Sequence, residues 1–67
     1  PGAGEKTAFL LDKKIRGERL AQILGEAQRM RAEGRTVLVD RMAKNKKHQK
    51  EQLTADGYSD IREIYAD

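Results

Sequence analysis

Apolar residues along the chain change their spacing five times, and each change marks an element. Lys6-Thr7-Ala8-Phe9-Leu10-Leu11-Asp12 is a short apolar run without polar alternation. A run that is hydrophobic on both sides suits a central strand covered on both faces. From Glu18 to Glu33 the apolar positions are Leu20, Ile23, Leu24, Ala27 and Met30. Their steps of three and four predict one stripe along a helix about 24 Å long, with Leu24 at the middle of the buried face. On that reading Leu24→Asp unfolds the domain. Gly34 follows as the C-terminal cap, because only glycine enters the left-handed conformation without steric cost. Arg35-Thr36-Val37-Leu38-Val39-Asp40 is then a β-branched strand.

A second helix is predicted from Asn45, as its N-cap, to about Asp56, with Gly57 as terminator. Its buried side is thin: three, four and seven residues before Leu53 stand Lys50, Gln49 and Lys46. Lysine stems lying along apolar surface partly make up for that. Tyr58 to Tyr65 fits a helix through Ile61, Ile64 and Tyr65, and Asp60 with Glu63 resembles a capping pair. An edge strand is the better reading, because Gly57 has just ended a helix and the preceding order β-α-β-α calls for another strand. Right-handed crossovers then give an α/β fold, a three-layer βαβαβ domain with a parallel sheet of order 2-1-3 and a helix on either side. Pro1-Gly2-Ala3-Gly4-Glu5 is expected to be a flexible leader, and residues 6–67 a single domain.

Composition limits how firmly this design holds. Leu, Ile, Val and Phe number 13 of 67 residues, close to the roughly 20% below which chains tend to disorder. A chain of this size buries only about 60% of its unfolded surface. The net charge of +3 is too small to force expansion, so folding is expected with little margin. With no cysteine there is no disulfide and no thiolate metal site, which suits a reducing cytoplasm. No apolar run approaches the roughly 18 residues of a membrane span, and no membrane partner is expected.

Charge is placed unevenly. Residues 41–50 carry Arg41, Lys44, Lys46, Lys47 and Lys50 and no acid; residues 51–67 carry Glu51, Asp56, Asp60, Glu63 and Asp67 against Arg62 alone. The basic cluster is the strongest chemical lead. Lys46, Lys47 and His48 fall in the first turn of the second helix, where the helix dipole is already positive and cations are unfavourable. Lys44, Lys46, Lys47 and Lys50 are thus candidate contacts for a phosphate or an acidic partner surface, with a solvated, salt-screened face as the plainer reading. If local helix stability alone governs, replacing Lys46, Lys47 and Lys50 by alanine stabilises the chain slightly.

Other constellations carry less. His48 has no second histidine or cysteine to complete a zinc site, and with Glu51 one turn on it reads as a surface histidine before a base and its orienter. Asp12 and Asp40 end two neighbouring strands and could hold Mg²⁺, but strand-end aspartates more often serve as turn and capping residues. Gly4-Glu5-Lys6-Thr7 is not a phosphate-binding loop, since no strand precedes it and a strand follows. With Phe9, Tyr58 and Tyr65 the only aromatics, base stacking on nucleic acid is weakly supported.

Met30-Arg31-Ala32-Glu33-Gly34-Arg35-Thr36-Val37-Leu38-Val39-Asp40 resembles the arginine-to-glycine passage and valine-rich strand of class II anticodon-binding domains. Lys46-Lys47, Leu53 and Ala55-Asp56-Gly57 resemble their following lysine-rich helix and its end. Among histidyl-type members the chain is most similar to the C-terminal domain of the ATP phosphoribosyltransferase regulatory subunit. That family resembles histidyl-tRNA synthetase without being an active synthetase, and partners the short catalytic subunit in the first step of histidine biosynthesis. The resemblance, over about residues 6–65, implies an anticodon-binding-like fold and a non-catalytic interaction domain without cofactor or metal. It implies as partners the rest of a parent protein and a catalytic subunit. A tRNA- or RNA-binding module of synthetase type is the alternative, with Lys44, Lys46, Lys47 and Lys50 on phosphates. Complete anticodon-binding domains carry further strands after the third, which makes the regulatory reading the expectation.

Overall fold

The computed structural model describes residues 5–66. Five elements follow in order: β1 (Lys6–Leu11), α1 (Gly17–Ala32), β2 (Thr36–Arg41), α2 (Lys46–Ala55) and β3 (Asp60–Ile64). All three strands are parallel, in the order β2-β1-β3, so the expected 2-1-3 sheet with two helices is the observed architecture. Lys6 stands opposite Thr36, and Leu10 stands between Asp40 and Glu63. The chain moves from β1 to β2 on one side and returns past β1 to β3 on the other. Right-handed connections that reverse direction must place their helices on opposite faces. Residues 1–4 of the expected leader lie outside the described residues; Glu5 is described, and its carbonyl accepts from the Thr36 amide at 3.4 Å.

Alternation along β1 divides the core. Phe9 and Leu11 join Ile15, Ile23, Ala27, Met30 and Val37 under α1, while Ala8 and Leu10 join Leu53 under α2. The α2 layer is thin as expected, Leu53 being the buried residue of that helix. It is widened by the half-buried Leu38, Met42, Tyr58 and Ile61.

One expectation about α1 is corrected. Leu24 is 43% exposed, whereas Ile23 is 5% exposed. Successive helical residues are rotated by about 100°, and the buried line runs through Ile23, Ala27 and Met30, with Leu20 alongside. Leu24 falls on its flank. An i+4 step from Leu20 is compatible with a stripe but does not fix its centre.

Both helices stop as their glycines require. Gly34 and Gly57 have φ of 93° and 94°. The Arg35 amide bonds back to the Met30 carbonyl at 3.2 Å, and the Tyr58 amide to the Leu53 carbonyl at 2.9 Å. Each is a Schellman closure. At the other end of α2 the Asn45 side chain accepts from the His48 amide at 3.0 Å. Asn45→Ala is accordingly expected to cost about 1 kcal/mol, read from urea melts.

The outer edge of β2 is covered by side chains. Its even-numbered residues face β1, as the bonds from the Thr36 and Met42 amides to Glu5 and Leu11 show. Carbonyls of odd-numbered residues therefore face outward. That of Val37 accepts from Arg31 Nε and Nη2 at 3.2 and 2.8 Å, and that of Arg41 accepts from Gln49 Nε2 at 2.9 Å. Occupied carbonyls blunt strand addition at this edge.

Candidate functional site

The basic cluster divides once it is folded. Lys46 and Lys50 lie one turn apart on α2 and straddle Glu63 of β3. Lys46 Nζ reaches Oε1 and Lys50 Nζ reaches Oε2, each at 2.8 Å. Tyr65 donates its hydroxyl to Glu63 Oε1 at 2.7 Å, and Lys46 bonds that same hydroxyl. The Lys46 ammonium also stands 5.1 Å from the Tyr65 ring centre. Hydrogen bonds from Lys46, then Lys50, then Tyr65 push the Glu63 carboxyl down to about 2. The Lys46 ammonium is held charged well above its ordinary range, first by its hydrogen bond to Glu63. Lys44, Lys47 and His48 remain exposed, and among the described residues neither Lys44 nor Lys47 forms an ion pair. The four candidate lysines are therefore two clamps on an internal acid and two solvent-facing cations.

The aspartates at the strand ends act locally. Asp12 Oδ2 accepts from the Lys14 amide at 3.1 Å, and Asp40 Oδ1 accepts from the Arg41 amide at 2.8 Å. Among the described residues no group of three or more His, Cys, Asp or Glu side chains is gathered to hold a metal ion.

A second ionic network joins the amino ends of the strands. Arg35 Nη2 contacts Glu5 at 2.6 Å and Asp60 at 3.7 Å, and donates to Thr7 Oγ1 at 3.0 Å. Arg62 Nη2 reaches Asp60 at 2.9 Å, Nη1 reaches Glu26 at 3.8 Å, and the guanidinium covers the Phe9 ring at 5.4 Å. The hydrogen bonds from Arg62 are the main cause that lowers the Asp60 carboxyl below its usual range. Thr7 is the one buried polar residue described, and Arg35 satisfies it. This network ties the three strands and α1 together, and its one hydroxyl, that of the buried Thr7, donates to Asp60 Oδ2 at 3.4 Å.

At the opposite, carboxyl ends of the strands lies a crevice of about 380 Å³ lined by Lys14, Ile15, Arg16, Arg19, Tyr65 and Ala66. The loop after β1 forms one wall and the residues after β3 the other. Arg41 fixes the loop by donating through Nη1 to the carbonyls of Asp12 at 2.8 Å and Ile15 at 2.7 Å. Nothing in the sequence reading marked these residues. Their signal is the basic run Lys13-Lys14-Ile15-Arg16 with Arg19, immediately after a buried strand, and the denser lysines of residues 44–50 overshadowed it.

No family model matches the chain, and no curated protein or solved structure matches it.

Proposed function

We propose that the chain is a non-catalytic interaction domain, of the kind the resemblance assigns to the ATP phosphoribosyltransferase regulatory subunit, working in the cytoplasm beside a catalytic subunit. The observation that carries the non-RNA part of this reading is the clamp on Glu63. Lys46 and Lys50 are held by Glu63 inside the domain. Of the candidate set only Lys44, just before α2, and Lys47, in its first turn, therefore face solvent unpaired among the described residues. Two exposed cations make a poor phosphate-tracking surface, because affinity for nucleic acid grows with the number of phosphates neutralised. A three-stranded parallel sheet of order 2-1-3, with a lysine-rich second helix closed by Ala55-Asp56-Gly57, is compatible with the family expectation. Among the described residues no helix is long and apolar enough to cross a membrane.

Two titrations test the reading. Against tRNA in physiological salt, the chain is expected to bind no tighter than about 10⁻⁴ M. Mixed with the short ATP phosphoribosyltransferase catalytic subunit, it is expected to shift that subunit's sedimentation. Submicromolar tRNA binding that weakens with salt and with Lys44→Ala and Lys47→Ala overturns the proposal in favour of an RNA-binding module. Silence towards both partners removes the assigned partner.

A further inference from the structure

We infer that the crevice at the carboxyl ends of β1 and β3 is a binding site for a small phosphomonoester carried on a flat ring. This rests on the crevice alone and stands whether or not the regulatory-subunit reading holds. Its about 380 Å³ falls within the range of small-molecule sites, roughly 300–1,000 Å³. Position supports it as well. In open parallel sheets ligands settle outside the carboxyl ends of strands where the strand order turns back, and in a β2-β1-β3 sheet that is the boundary between β1 and β3.

Charge defines the ligand. Lys14, Arg16 and Arg19 are three of the six lining residues, and among the described residues no acid lines the crevice. Among the described residues none of the three forms an ion pair, in contrast to Lys46, Lys50, Arg35 and Arg62. Of the acids beside the basic residues in sequence, Asp12 has its carboxylate taken by the Lys14 amide, and Glu18 is outside the lining. Three cations concentrated where α1 begins oppose the helix dipole and one another, so folding stability does not account for them. Guanidinium forks match the oxygens of a phosphate dianion, and the lysine adds a mobile point charge.

The remaining walls suit a ring. Ile15 and Ala66 are apolar, and Tyr65 is aromatic. Its position is fixed from the far side, because Glu63 and Lys46 hold the phenolic hydroxyl. The basic cluster of α2 thus acts on this site indirectly, by holding Tyr65. The opposite wall is equally preset: Ile15 is buried, its amide closes on the Asp12 carbonyl at 3.0 Å, and the Asp12 amide reaches the Ile64 carbonyl at 2.9 Å. Preset walls spare the ordering cost of binding.

The test is titration of the ¹⁵N-labelled chain with phenyl phosphate, inorganic phosphate, phenol and an oligouridylate without terminal phosphates. Phenyl phosphate is expected to saturate with Kd below about 1 mM, moving amides of residues 14–20 and 65–66, with inorganic phosphate weaker and phenol silent. Arg16→Ala with Arg19→Ala should weaken phenyl phosphate by about tenfold or more, the loss expected for charge-assisted bonds. Far-UV circular dichroism should show the fold unchanged. Tyr65→Leu should weaken phenyl phosphate and spare inorganic phosphate. Lys44→Ala with Lys47→Ala should change neither. The inference is overturned if shifts spread equally to residues 44–47, if the arginine variants bind like the parent, or if the oligouridylate binds as well as phenyl phosphate. Absence of saturation at about 10 mM, far beyond the expected Kd, overturns it too.

Discussion

Ile23→Asp is expected to leave the chain unfolded at room temperature, while Leu24→Asp, one residue further on, melts within about 0.5 kcal/mol of the parent. The two positions differ in sequence by nothing but a step along one helix. In the fold, Ile23 packs with Phe9, Leu11, Ile15, Ala27, Met30 and Val37, and Leu24 is 43% exposed. At 0.05–0.15 kcal/mol per residue a chain of this length has roughly 3–10 kcal/mol to lose. Removing a buried isoleucine side chain costs roughly 2–5 kcal/mol, and an unpaired carboxylate in its place adds several more. Arg62 and Arg35 are already held by Asp60, Glu26 and Glu5, so neither is free to pair it. Urea and thermal melts of the two variants decide the matter. A folded Ile23→Asp, or an unfolded Leu24→Asp, refutes the assignment of the buried line.

Legibility in the sequence follows the range of the interaction. β1 was readable because a strand buried on both faces leaves no polar alternation, and Ala8-Phe9-Leu10-Leu11 has none. Gly34, Asn45 and Gly57 were readable because caps act within a few residues of themselves. β3 needed one step more. Its apolar residues fit helix and strand alike, and the order of the preceding elements decided between them. Leu24 is not legible in this way, because a two-turn spacing has an uncertainty of one residue, which is enough to rotate a side chain out of the core. The ionic networks were not legible at all. Lys46 meets Glu63, and Thr7 meets Asp60 and Arg35, only through the parallel register that sets Thr7 beside Asp60 and Leu10 beside Glu63. The crevice has the same origin: Lys14 and Tyr65 are distant in sequence and become neighbours when β1 and β3 pair.

The fold also reverses what removing the lysines should do. Local helix energetics treats Lys46, Lys47 and Lys50 alike, as cations misplaced near a helix start, and expects the triple alanine variant to gain stability. In the structure Lys46 and Lys50 neutralise a carboxylate that is only partly exposed, so removing both leaves Glu63 with the Tyr65 hydroxyl alone. Lys46→Ala with Lys50→Ala is therefore expected to melt below the parent at pH 7, and Lys47→Ala, which loses no ion pair, slightly above it. The pH dependence carries the assignment. Glu63 has a folded value of about 2 against an ordinary 4.5, so the folded state holds its proton less tightly than the unfolded one. Its contribution is complete above pH 4.5 and drains away as pH falls towards 2. Lys46 has the opposite sign: its folded value is raised above 10.5, so its contribution is complete below that pH and is lost only in strong alkali. Asp60 is also depressed, but it is common to parent and variants and cancels in their difference. The gap in melting temperature between parent and the Lys46/Lys50 double variant should thus be widest near neutrality and close between pH 4.5 and 2. Melts at pH 7, 4.5 and 2 measure it. A double variant that melts above the parent at pH 7 would return the lysines to the role that local helix electrostatics gives them, and would detach Tyr65 from any support by α2.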